Sequence, residues 1–470
     1  MAILSGKPDP KSTTAAKAVV QRLQDLSTKD LTQRMFERRA IETVSWAMPA
    51  VNFELMYQAM VRETKGRFNE IVYWSRRPDW KNQTLTPNPD VVYLMPFFDL
   101  KDGPIVIEIP PADDGVINGT IMDSWQTPFE DVGPAGADRG KGGRYLIVPP
   151  EYSNRLPPGY IVLPSATHQG YALLRSLLKS GSDADVAKAV DYGRRIKLYP
   201  AAQAAQPPET VFRDAADVVY DATIPYDWRF FQALGRFVAR ELWLTRDKAM
   251  IDVLKSIGIE KGQPFNADDP IKLALNDAAA EAHAVLEMKY EELFSPYFDN
   301  SRWALPASPD YLKNAPTSFA DPDSYPVDGR GIVFSFAFFT PKHLGQGQFY
   351  LMTIKDKDGE AFHGGDNYRL VVPPNAPVNQ YWSATAYDRT THALIRGLSR
   401  SGRSSQSPGL LKNGDGSVEI YFGSRAPMGK DSNWVPTSAS GIFEVLFRFY
   451  GPEKALFDKT WVLPDIEKIK

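Results

Sequence analysis

Cysteine is absent from the 470 residues, and histidine occurs five times, at positions 168, 283, 343, 363 and 392. The first absence excludes disulfides, thiolate catalysis and cysteine zinc sites. The scattered histidines form no zinc motif, so neither a metal nor an organic cofactor is expected, and a carboxylate calcium site is the one metal option left open. Charge of one sign is scarce too: 54 Lys and Arg stand against 57 Asp and Glu, a net charge of −3, with no long single-sign run. That removes the electrostatic footprint of a nucleic-acid binder. No apolar stretch approaches the length of a membrane span, and the opening MAILSGKPDPKSTTAAKAVV lacks the basic and apolar regions of a secretory signal. The sequence as written therefore reads as soluble and cytoplasmic.

What is present is ordinary globular material, 43% hydrophobic and 24% charged, rich in aromatics with 10 Trp and 21 Tyr. Such residues suit both β-sheet cores and ligand clefts. The length suits two or three domains. From Thr14 to Thr64 the periodicity is helical, with Ser27 to Asp30 as a capping box and Pro49 as a break or kink. Short apolar runs then take over, among them VVYLMPFF, PIVIEIP and RYLIVPP; in PIVIEIP, Ile105, Ile107 and Ile109 share one strand face. Helical patterning returns from about Asp183 to Leu293. Its clearest helix has Asp269 as N-cap, Pro270 in the first turn and Ile271, Leu275, Ala278, Ala282 and Leu286 as buried stripe.

The stretch 295–330, dense in Pro, Asp and Ser, reads as a connection. Beyond it GIVFSFAFF, FYLMTIK, YRLVVP, YWSATAY and VEIYFGS read as strands, with hairpin turns at Asp358-Gly359 and Asp415-Gly416. The expected class is α+β: an N-terminal mixed β/helical domain (helices over 1–64, strands over 65–182, a helical segment over 183–294), then after the connection a C-terminal antiparallel jelly-roll-like β-sandwich over 331–470.

TPNPDVVY at 86–93 and GRYLIVPP at 143–150 resemble the bacterial domain of unknown function numbered twelve-fifty-four. NYRLVVPP, YWSATAYD, DGSVEIYFG, SNWVPT and FRFYGP, in that order from 367 to 452, resemble its usual C-terminal partner, numbered twelve-fourteen. The resemblance implies a β-and-helical first part joined to a jelly-roll-like second part, and implies no activity. The chain departs from the family's usual pattern at Val91, where Thr commonly follows the Asp. Many relatives begin with a signal peptide, which sets a periplasmic or secreted location beside the cytoplasmic one.

Asn88, Asp90 and Tyr93 concentrate polar groups at the entry to an apolar strand. A carboxylate beside a phenol can serve as acid or base; equally, Asn88 and Asp90 can close an Asx turn. In YWSATAYD the strand period puts Trp382, Ala384, Ala386 and Asp388 on one face and Ser383, Thr385 and Tyr387 on the other, either in a polar pocket or toward solvent. Asn433 and Trp434 in SNWVPT suit a ligand platform or an end plug, and Trp125 between Ser124 and Gln126 is a further candidate of that kind. His283 and Glu287 lie one helical turn apart, a spacing that fits a solvated pair better than two metal ligands. Together these favour a cofactor-independent hydrolase or lyase acting on a small organic or carbohydrate-like ligand in an interdomain aromatic cleft. Asp90 and Tyr93 would then be catalytic, and Asn88, Trp125, Tyr387, Asn433 and Trp434 substrate contacts. The alternative is a non-catalytic β-sandwich that binds a glycan or another protein. A homo-oligomer is compatible with the strand-rich surface.

Overall fold

The run VVYLMPFF is apolar at nearly every position, and such a strand needs cover on both faces. In the computed structural model, which describes residues 27–293, 295–337 and 340–469, Val91–Asp99 lies inside a six-stranded sheet. The strand order is Phe212–Asp214, Glu70–Tyr73, Val91–Asp99, Gln169–Leu177, Ile117–Asp123 and Pro128–Val132. Val91, Tyr93, Met95 and Phe97 belong to a core shared with helices, whereas Val92, Leu94 and Phe98 belong to a second core. A four-stranded sheet closes that second core, in the order Lys197–Pro200, Ile105–Ile109, Gly143–Val148 and Ile161–Pro164. Ile105, Ile107 and Ile109 all enter it, as strand alternation requires.

The helices cover the other face of the six-stranded sheet. Ser27 and Asp30 exchange side-chain and backbone hydrogen bonds in a capping box that opens the helix Thr28–Thr64; residues 14–26, where the helical pattern begins in the sequence, lie outside the described residues. Pro49 does not break this helix, which runs on through it. Proline has no N–H to give to the carbonyl four residues back, here that of Ser45, and Gly331 packs against that oxygen so closely that a Cβ on it would stand 2.8 Å away. Gly331 belongs to the helix Val327–Phe336, which corrects the reading of GIVFSFAFF as a strand. A short continuous apolar run carries no period to separate a buried strand from a buried helix. This one is buried at every position from Gly329 to Phe336, and Asn52 of the long helix donates to the carbonyls of Phe334 and Ala337 at its end, at 2.7 and 2.8 Å. The helix Asp269–Glu292 starts one residue earlier than expected, with Asp268 as N-cap; Leu275, Ala278, Ala282 and Leu286 are buried on it, while Ile271 is half-buried.

The second half is built of two further sheets. One is ordered Gln348–Thr353, Ile442–Pro452, Val378–Asp388 and Gly402–Ser404, with Phe362–His363 also on Ile442–Pro452; the other is Trp434–Pro436, Val418–Gly423, Asn367–Val372 and Glu467–Ile469. Neighbours are antiparallel except for Val418–Gly423 with Trp434–Pro436, which run parallel. Trp382, Ala384 and Ala386 share a core with Leu370, Ile420 and Phe422 of the facing sheet. On the reverse face Tyr381, Tyr387, Leu446 and Tyr450 join the core that contains the N-terminal helices. The outer face of the larger C-terminal sheet is therefore laid against the first half of this α+β chain. Among the described residues no helix is long and apolar enough to cross a membrane.

Candidate functional site between the two halves

Pro87 and Pro89 restrict the backbone of TPNPD, and Asn88 Oδ1 accepts the Asp90 N–H at 3.0 Å, closing an Asx turn. The turn is also a buckle between the halves. Asn88 Nδ2 donates to the hydroxyls of Tyr381 and Tyr450 at 2.9 and 3.0 Å, whose rings stack with centroids 4.5 Å apart. The Asn88 N–H donates to Tyr93 Oη at 2.8 Å. The Pro87 carbonyl accepts the Tyr387 hydroxyl at 2.7 Å, and the Thr86 carbonyl accepts Arg448 Nη2 at 2.8 Å. Arg448 also donates to the Tyr387 and Thr385 hydroxyls, at 2.6 and 3.2 Å. Backbone carbonyls exposed by the irregular turn are thus satisfied by the opposite sheet, as buried polar groups must be.

Asp90 sits just behind this buckle with Arg77 at 3.9 Å. Its Oδ2 has no hydrogen-bond partner. Burial pushes its carboxyl above the ordinary range, against the pull of Arg77 and Arg448.

Beside the buckle lies a cavity of about 120 Å³. Its walls are apolar, from Leu85 and Leu173 of the first half, Leu305, Ala307 and Phe336 of the connecting region, and Phe349 and Leu446 of the second half. Its polar groups are few: Thr86, Tyr93, Arg175, Tyr311, Gln348, Tyr350 and Arg448. Arg175 and Arg448 are 4% and 1% exposed. Arg175 lies over the Tyr93 ring at 5.4 Å and Arg448 over the Tyr350 ring at 5.2 Å. Burial opposes both guanidinium charges, but the surrounding phenols turn the balance and raise both pKa values above the ordinary arginine range. Arg448 Nε and Gln348 Oε1 are buried without a hydrogen-bond partner. Among the described lining residues there is no carboxylate, imidazole or lysine.

Of the residues singled out in the sequence, Tyr93 lines this cavity, while Asn88, Asp90 and Tyr387 stand around the buckle next to it. Trp125, Asn433 and Trp434 are not brought there. Trp125 is buried against Trp46 and Phe237, with centroids at 5.0 and 5.3 Å. Asn433 ties a loop of the outer C-terminal sheet, accepting from the Leu411 N–H and donating to the carbonyls of Leu411 and Glu419, each at 2.8 Å. Trp434 spends its indole N–H on the Gly423 carbonyl at 2.8 Å.

A second polar cluster joins the halves through residues that sequence reading left as a solvated pair or did not single out. His392 Nδ1 meets Glu444 Oε1 at 2.8 Å and its Nε2 lies 3.5 Å from Glu287. Arg389 pairs with Glu287 at 2.5 Å, and the Tyr290 hydroxyl donates to Glu444 at 2.8 Å. Burial disfavours the imidazolium, but Glu444 and Glu287 outweigh it and push the pKa of His392 up to about 9. Burial likewise opposes the Glu287 charge, yet His283, His392 and Arg389 hold it well below the usual carboxylate range. Glu287 is therefore an interdomain ion-pair partner that also keeps its helical neighbour His283 at 3.6 Å.

Comparison with known proteins agrees with this two-part architecture. The model for the protein family of unknown function DUF1254 matches residues 68–200, and that for DUF1214, also of unknown function, matches 347–454. The chain belongs to this two-domain family. A crystal structure of the VPA0106 protein from Vibrio parahaemolyticus aligns over 93% of this chain and 100% of its own, at 18% identity and a TM-score of 0.55, a likeness of fold. An uncharacterized protein from Burkholderia cenocepacia aligns over 93% and 94% at 10% identity, with a TM-score of 0.41. No curated protein matches the chain.

Proposed function

We propose that this protein binds a small, mainly apolar molecule in the cavity between its halves. The observation that carries the reading is the lining itself: apolar walls contributed by both family segments and the connecting region, with a few polar groups, of which Thr86, Tyr93 and Arg448 also take part in the buckle. A carbohydrate would leave most of its hydroxyls without partners on such walls. Hydrolase or lyase chemistry needs a base within reach of the substrate, and the described lining residues supply no carboxylate or imidazole. Of the Asp90 and Tyr93 pair, Tyr93 is the member that reaches the cavity. Asp90 serves the turn and faces Arg77. Glycan binding at Trp434 is disfavoured because its indole N–H is already bonded within the sheet.

The test uses toluene, a neutral probe of suitable size, followed by calorimetry or ligand-observed NMR. Binding to the wild type, and its loss in a folded Ala307→Trp variant that fills the cavity, is the expected result. Unaltered toluene binding in that variant, or none to the wild type, overturns the reading.

A further inference from the structure

Burying a guanidinium away from water is costly unless its charge is answered. Arg77 and Arg448 both pull on a single carboxylate, Asp90, beside the buckle, and Arg448 also lines the cavity. Arg77 stands 3.9 Å from that carboxylate, and among the described residues Arg448 has no carboxylate within ion-pair distance. The hydroxyls of Tyr387 and Thr385 satisfy part of the hydrogen bonding of Arg448, but a neutral hydroxyl does not cancel charge. The cavity end is therefore cationic.

Two further features mark this end as the seat of a ligand group. Arg448 Nε has no partner in the protein. Gln348, 8% exposed, also lines the cavity and leaves its Oε1 without a partner; its amide can turn to present N–H donors instead. A planar acceptor with two oxygens would use such donors from two directions, and carboxylate is the group whose geometry suits guanidinium forks. The volume of about 120 Å³ is of the order of the roughly 150 Å³ apolar cavity that accepts benzene.

Resting on the proposed cavity reading, we infer that the ligand is a monocarboxylic acid with an apolar body about the size of one aromatic ring. Its carboxylate lies at the Arg175, Arg448 and Gln348 end and its body lies among Leu85, Leu173 and Leu446.

Calorimetric titration of the full chain with phenylacetate, its neutral isostere phenylacetamide, and the cation phenethylamine tests this without any substitution. Phenylacetate is expected to bind at least tenfold more tightly than phenylacetamide, and phenethylamine to bind more weakly than either. Gln348→Leu, which removes the amide whose Oε1 has no partner, is expected to narrow the gap between acid and amide at least threefold. Equal affinity for acid and amide overturns the inference while leaving the apolar-cavity reading standing. A preference for the amine overturns it outright, and failure of every probe, toluene included, removes both. An undiminished gap in a folded Gln348→Leu variant overturns the assignment of the carboxylate to that end of the cavity.

Discussion

The His392 cluster gives the sharpest test of how the two halves are held together. The imidazolium titrates near pH 9 in the fold, against 6.5 for an ordinary histidine. A pKa raised by folding means that the folded state binds the proton more tightly. Its contribution is therefore fully present below pH 6.5 and is lost as the pH rises toward 9. At ~1.4 kcal/mol per pH unit, that gap amounts to at most roughly 3 kcal/mol. His392→Asn is the suitable perturbation, because His392 sits at φ 54° and Asn tolerates this left-handed conformation but carries no charge. Unfolding midpoints of both proteins should be followed from below pH 6.5 to above pH 9. The variant is expected to be markedly less stable at the acid end, and the difference should shrink as the wild type loses its proton. A difference that stays constant across the range would mean that His392 contributes by packing against Tyr290 and Phe336 rather than by charge.

Four other substitutions address the core, a loop of the outer C-terminal sheet, a close helix contact and the turn. Ile420→Asp puts an unpaired charge between the C-terminal sheets, where Ile420 is fully buried, and is expected to abolish soluble protein; a folded variant seen by circular dichroism would refute the register. Asn433→Ala removes three hydrogen bonds and should cost roughly 2–4 kcal/mol in denaturant titration, with toluene binding unchanged. Gly331→Ala drives a Cβ to 2.8 Å from the Ser45 carbonyl and should cost about 1–3 kcal/mol, read as a lowered melting midpoint. Asp90→Asn keeps the Asx turn and should raise the midpoint at neutral pH. Folding raises the Asp90 pKa, so the wild-type carboxyl stabilises the fold only while protonated, and the advantage of Asn should vanish below about pH 4.

Much of the fold was legible because the relevant signals are local. The Ser27 capping box, the alternation in PIVIEIP and the opposite faces of Trp382 and Tyr387 all appear where the period of each element places them. GIVFSFAFF failed for the complementary reason: its helix packs on Ser45 and Asn52, nearly three hundred positions away, and nothing within the run reports that contact. At the site, the TPNPD turn stood out by its proline spacing, but the partners that define its role, Tyr381, Tyr450 and Arg448, come from distant strands. A usable signal was present all the same. Arg175 in QGYALLRSL is a lone charge inside an apolar strand, and Arg448 in FEVLFRFYG has Glu444 as the strand's one other charge; charges in such places need a structural or ligand partner. By contrast Asn433 and Trp434 drew attention by residue type, whereas their polar atoms are spent inside the outer sheet.

The position of the cavity also bears on why the two family segments occur in one chain. Leu85, Tyr93 and Arg175 fall within residues 68–200, and Gln348, Tyr350 and Arg448 within 347–454. Between them Leu305 to Leu344 complete the wall from outside both segments. Neither segment alone closes the space, and the turn that seals one end does so by giving its carbonyls to the other half. A ligand seated there touches both halves at once, so its binding free energy adds to their association. At a ligand concentration 100-fold above Kd that addition is about 2.7 kcal/mol, comparable with the roughly 3 kcal/mol assigned to the His392 charge. Ligand and ion-pair cluster therefore act on the same interface, and the cavity depends for its existence on the association that its occupant would strengthen.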